Sequence, residues 1–258
     1  MFIPLHDANE LRFIRRSYVN LAIIAVNIAA FLVTVTGANE AFSNASIFGL
    51  GYIPSVIHNM VELPPELVLV PENFTYLTYA FLHADTFHLG GNMIFLWVFG
   101  DNVEDAMGHV KYLIFYLLCA AAGAFLHGVI LAGSEEPLIG ASGAIAGVVV
   151  AYLMLHPHVK LWVLALMRIP LRIPAWIPIG LWVIFQFVML FTQTDDQISW
   201  PAHVGGILAG IVLTPLFKRR GFKLFSRPEP VAPAPDLVLH PAADPPEPAR
   251  AVKWGRQS

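Results

Sequence analysis

Six apolar runs, at roughly 17–36, 86–103, 111–132, 139–155, 174–192 and 199–217, leave this chain few ways to fold. A helix needs about 20 apolar residues to cross a bilayer, and only segments that satisfy their own backbone hydrogen bonds are stable there. Charged residues are 13% of the 258 and hydrophobic ones 57%. A soluble globular domain carries about a quarter charged residues. The deficit lies in the six runs, so the expectation is an all-α, multi-pass integral membrane protein.

The basic residues set the orientation. With six crossings and a cytoplasmic N-terminus, the inner segments hold all 15 Lys and Arg, from Arg12, Arg15 and Arg16 through Lys111, Lys160, Arg168 and Arg172 to Lys218, Arg219, Arg220, Lys223 and the tail. The outer loops carry Glu40, Glu62, Glu66, Glu72, Glu135, Glu136, Asp195 and Asp196 instead. One helix more or fewer would scramble this positive-inside pattern.

Residues 1–16 read as a cytoplasmic N-terminal segment, 17–218 as the membrane domain with a long outer first loop at 37–75, and 219–258 as a Pro-rich, disordered cytoplasmic tail. The first run reads as a retained helix, because Asn39-Glu40 is a poor cleavage context. The expected location is a bacterial inner membrane with both termini in the cytoplasm. The net charge of −3 gives no sign of a nucleic-acid partner, and the single Cys119 rules out an intramolecular disulfide.

Polar side chains inside such runs are costly and mark function by default. Gly140-Ala141-Ser142-Gly143 opens the fourth run, after a loop at 133–137 that makes Ser142 the start of a helix. Backbone N–H groups in a first helical turn are free to bind a developing anion. His203 lies at the outer end of the sixth run, beside a small-residue stripe of Ala202, Gly206 and Gly210. Gly143, Gly147 and Ala151 form a matching stripe in the fourth, so the two helices can pack closely and bring hydroxyl and imidazole together. Spans four to six contain no carboxylate, which points to a Ser–His dyad in place of a triad. In His83…His88…Asn92, His88 and Asn92 are i and i+4 on one helix face and can both donate to an oxyanion. His83 sits at the loop–helix junction, where a structural role is the simpler reading. The remaining polar residues read blandly: Glu104 and Asp105 as loop anchors, and His127 as a buried group in need of a partner.

With these motifs on these spans, residues 15–218 resemble the rhomboid family of intramembrane serine proteases. The resemblance implies a six-transmembrane-helix bundle with Ser142 as nucleophile and His203 as general base. It implies an oxyanion hole from His88, Asn92 and the Ser142 N–H, with Gly140, Gly143, Gly147, Gly206, Gly210 and His83 in supporting packing. It also implies that single-span membrane proteins are cut near the outer edge of the bilayer, in contact with membrane lipid and without cofactor or metal. Two positions depart from the common family pattern: Phe74-Thr75 where many members have Trp-Arg, and Ala146 where many have an aromatic on the catalytic histidine. The imidazole then needs another support, such as Trp200.

Two other enzyme or transport readings are weaker. A zinc protease on His83, His88 and His203 lacks a His-Glu-x-x-His motif and has only Asp85 nearby. A transporter would show inverted repeats or charges in mid-membrane. The non-enzyme alternative is an inactive rhomboid-like protein that binds membrane helices for quality control; such relatives lack the serine or the histidine.

Overall fold

The computed structural model describes residues 2–37, 40–165, 168–192 and 198–226. Helices occupy each of the six apolar runs. They are α1 (Tyr18–Thr36); α5 (Thr86–Phe95), continued by a π-helical turn at Leu96–Gly100 into α6 (Asp101–Met107); α7 (His109–Ile130); α8 (Ser142–Leu155); α9 (Trp176–Thr192); and α10 (Trp200–Phe217). Segments within α1, α7 and α10 are long and apolar enough to cross a membrane, while α8 and α9 are shorter apolar helices. The second run extends past residue 103 because Asn102, Glu104 and Asp105 are polar yet buried, so apolar counting stops before the helix does.

α7, α8 and α10 pack together at the centre. Every residue of α8 except Ser142 and Leu153 is buried, as expected of a helix that is apolar all round. The outward faces of the helices reverse the pattern of a water-soluble protein. Val26, Leu32 and Val33 on α1, Leu181, Ile184 and Val188 on α9, and Ile211, Val212 and Leu216 on α10 are exposed. Apolar surface of that extent suits contact with lipid.

The glycine stripes meet as their spacing suggests. A Cβ on Gly206 would stand 1.8 Å from the Gly143 carbonyl oxygen, and one on Gly210 would stand 2.7 Å from that of Gly147. The α8 and α10 backbones therefore touch directly, with no room for a side chain between them.

The expectation of an all-α chain is corrected by a three-stranded antiparallel sheet in the order β1 (Phe2–Asp7), β2 (Lys160–Ala165), β3 (Ile169–Pro174). Leu161 and Val163 alternate inward with Lys160 and Trp162 outward, a period-two pattern inside what reads as a loop between spans. Pro4 lies on β1 and Pro170 and Pro174 on β3, the two edge strands, where the missing N–H costs least.

Pairing of β1 with β2 brings the N-terminus beside the 160–174 connection. The Arg219 N–H donates to Ala106 O at 2.8 Å and the Phe225 N–H to Met154 O at 2.8 Å, so residues 219–226 pack on the same end of the bundle. The remainder of the tail, 227–258, lies outside the described residues. Glu104 and Asp105 do anchor a segment there. Asp105 accepts the N–H groups of Arg12, Phe13 and Ile14 at 2.7–2.9 Å, and Glu104 those of Val19 and Asn20 at 3.1 and 2.8 Å.

The first loop is built at the opposite end, with more structure than its sequence suggests. It contains α2 (Glu40–Leu50), α3 (Pro54–Ile57) and 3₁₀ turns at Pro65–Leu67 and Glu72–Phe74, and α4 (Thr75–Thr78) and a further 3₁₀ turn at Tyr79–Phe81 lead from it towards α5. Tyr52 bridges to Leu138, and the Ser55 N–H donates to Ser134 O at 3.0 Å. The first loop is thereby tied to the segment that leads into α8.

Candidate active site

α8 begins at Ser142, just after Gly140 turns the chain at φ +122°. Glycine adopts that angle without strain. Space excludes a side chain as well: a Cβ at Gly140 would lie 2.7 Å from His88 Nε2 and 3.8 Å from Ser142 Oγ. The His88 ring and the Ser142 hydroxyl thus flank one point. The Gly140 N–H donates to Tyr79 O at 3.0 Å, and the buried Tyr79 hydroxyl donates to Ala120 O on α7 at 2.8 Å.

Ser142 Oγ and His203 Nε2 are 2.8 Å apart, and His203 Nδ1 lies 2.8 Å from Gln186 Oε1 on α9. An amide oxygen only accepts, so with Gln186 Oε1 facing the ring the proton is assigned to Nδ1. The Nε2 lone pair then faces the serine hydroxyl, which donates to it. Two indoles flank the imidazole: Trp182, one turn before Gln186, at 6.5 Å and 32° between rings, and Trp200 edge-on at 6.0 Å and 84°. Ala146 packs beneath them with Val150, Ile207 and the partly buried Trp182, Val183 and Phe187. The small side chain at 146 leaves space that α9 fills with an aromatic of its own.

Asp85 caps α5 by accepting the N–H groups of Phe87 and His88 at 2.7 and 2.9 Å, which holds its carboxyl below the usual range. His83 packs edge-on to His88 with ring centroids 5.0 Å apart. Burial, reinforced by the neighbouring His88, lowers the His83 imidazole to about 4. Asn92 is buried, and its Nδ2 has no partner among the described residues; the same holds for both ring nitrogens of His83.

The structure therefore gathers Ser142, His203, His88 and Gly140 at one place, with Asn92 one turn below His88. It adds Gln186 and Trp182, which the search for a carboxylate passed over. The available signal was that Gln186 is the one strongly polar side chain in the run 176–191. His127 finds its partner in Ser199 Oγ at 2.7 Å, and that hydroxyl also caps α10 by accepting the Ala202 N–H at 3.2 Å. At the departing pair, Phe74 is exposed, whereas Thr75 is buried and donates to Glu72 O at 2.6 Å.

The sequence matches the Rhomboid domain over residues 71–220, a stretch that contains every residue of this cluster. The chain belongs to the rhomboid family. It is 28% identical over 184 residues to yeast Rhomboid protein 1, mitochondrial (Saccharomyces cerevisiae), covering 66% of this chain and 49% of that one. It is 26% identical over 165 residues to RHOMBOID-like protein 12, mitochondrial, of Arabidopsis thaliana, covering 58% and 48%. It is 31% identical over 139 residues to the Presenilin-associated rhomboid-like protein, mitochondrial, of Mus musculus, covering 52% and 36%. The chain thus spans about half or less of the length of these rhomboid relatives. All three are mitochondrial proteins by name, so they lend no weight to the bacterial inner membrane expected from sequence.

Proposed function

We propose that this chain is an intramembrane serine endopeptidase of the rhomboid type. It crosses the membrane six times with both termini on the inner side, and it cuts single-span membrane proteins near the outer edge of the bilayer. The observation that carries the reading is the 2.8 Å contact between Ser142 Oγ and His203 Nε2.

In this mechanism Ser142 Oγ adds to the scissile carbonyl carbon as His203 Nε2 takes its proton. The tetrahedral oxygen accepts hydrogen bonds from the Ser142 backbone N–H, His88 and Asn92. Collapse breaks the C–N bond, and His203 returns the proton to the departing amine. A water, deprotonated by the same nitrogen, then adds to the acyl carbon; the bond to Oγ breaks, and His203 returns the proton to Ser142 Oγ. Substrate helices must unwind locally to expose the bond, and the polar side chains line a water-accessible hollow away from lipid.

The test is cleavage of a single-span substrate by the purified chain in liposomes. Ser142→Ala and His203→Ala should each abolish cleavage while the circular dichroism spectrum is unchanged; turnover at the wild-type rate by either variant would sink the assignment. Labelling of Ser142 by a fluorophosphonate separates this reading from an inactive helix-binding relative, which would not react.

A further inference from the structure

We propose that Gln186 is a positioning residue that makes the dyad a Ser142–His203–Gln186 relay, selecting the imidazole tautomer that can accept the serine proton. The inference rests on the protease reading above.

Gln186 is buried in a helix whose neighbouring positions are all apolar. A buried carboxamide without hydrogen bonds costs about 1–3 kcal/mol, so its presence calls for a partner. The partner is His203 Nδ1 at 2.8 Å, on the face of the ring opposite Ser142. The other tautomer would set a protonated Nε2 against the serine hydroxyl and leave Nδ1 and the amide oxygen as two facing acceptors. Trp182 shares the helix face of Gln186 at i−4 and holds the ring from the side, so α9 supplies both the direction and the plane of the imidazole.

An amide in this place differs from a carboxylate in one respect: it orients the ring without supplying negative charge. α8, α9 and α10 carry no Asp or Glu, and the imidazoles of His88 and, edge-on to it, His83 come from the other side of the site. The relay therefore acts by geometry and tautomer alone.

The test compares wild type, Gln186→Met and Gln186→Glu in liposomes. Gln186→Met keeps the volume and removes the acceptor. It should lower kcat on the order of 10- to 100-fold with little change in KM. Fluorophosphonate labelling, which needs an activated serine but no peptide, should slow in parallel. Gln186→Glu keeps an acceptor at the same reach and should recover most of the loss. Wild-type kcat in Gln186→Met would overturn the proposal, and so would Gln186→Glu as slow as Gln186→Met with both folded, since that pattern is one of packing alone. A measurement on the unaltered chain covers the case of a variant that fails to fold: imidazole ¹⁵N shifts, assigned by difference to His203→Ala, should report the Nδ1–H tautomer, and the Nε2–H tautomer would overturn it. If wild type neither cleaves nor labels, the protease reading falls and the relay with it. If wild type cleaves and Gln186→Met matches it, only the relay falls.

Discussion

Asn92 Nδ2 is a buried donor with no acceptor among the described residues. An unsatisfied buried donor costs about 1–3 kcal/mol, which a chain selected for stability alone would shed. The cost is offset if an acceptor arrives during the reaction, as the oxygen of a tetrahedral intermediate would. Asn92→Ala should therefore lower kcat by on the order of 100-fold while KM hardly moves. A raised KM at constant kcat would instead place Asn92 in ground-state substrate binding. The variant should also be no less stable to heat than wild type, because among the described residues no hydrogen bond to the Asn92 amide is lost.

At the scale of elements, the site depends on how closely α8 and α10 approach. Gly206→Ala would press a methyl to 1.8 Å from the Gly143 carbonyl oxygen, and the contact is backbone that cannot swing aside. The variant should lose about 1–3 kcal/mol of stability, read as a drop in Tm in detergent, and should lose cleavage with it. Gly180→Ala on α9 is the control, since a Cβ there meets nothing within 4 Å. It should hold or gain up to about 1 kcal/mol. Equal destabilisation by both variants would mean that the helices do not meet along this seam.

These elements also show what a sequence can disclose. The small residues of α8 and α10 recur every fourth position, which is a local regularity, so the seam and the pairing of Ser142 with His203 can be read from spacing. Gln186 and Trp182 belong to a helix whose rotation about its axis is set by packing against Ala146 and Ile207, and within α9 only the lone strongly polar side chain, Gln186, marks that face. The sheet was hidden for a related reason. β1 and β2 lie more than 150 residues apart, and β3, the partner next to β2 in sequence, has two prolines and no alternation of buried and exposed residues, so little in the sequence seconds the period-two signal at Lys160–Ala165.

Across the whole molecule, the end of the bundle opposite Ser142 works as a clasp that joins the N-terminal segment, the end of α8 and residues 219–226. Asp7 accepts from Asn102 Nδ2 at 2.9 Å and from the Tyr152 hydroxyl at 2.7 Å. His156, the residue after α8, is buried between Tyr152 and Phe222, with Asn9 Nδ2 3.3 Å from its Nδ1 and no partner for Nε2 among the described residues. Burial, helped by nearby Arg12 and opposed by Asp105, lowers its imidazole from 6.5 to about 4. A folded pKa below the unfolded one means the contribution is complete above 6.5 and disappears as pH falls through about 4. Asp7 runs the other way. Burial raises its carboxyl above the ordinary 3.8, so its contribution is complete below that value and is lost as pH rises through the folded value. Acidification thus strains the clasp at His156 while easing it at Asp7. Between pH 6.5 and 4 the Tm of the wild-type chain in detergent should fall relative to that of His156→Gln, which has no charge to gain and keeps the same buried carboxyls of Asp7 and Asp101. The two curves should converge by on the order of 3 kcal/mol over that window. Parallel curves would show that His156 takes up its proton without cost to the fold.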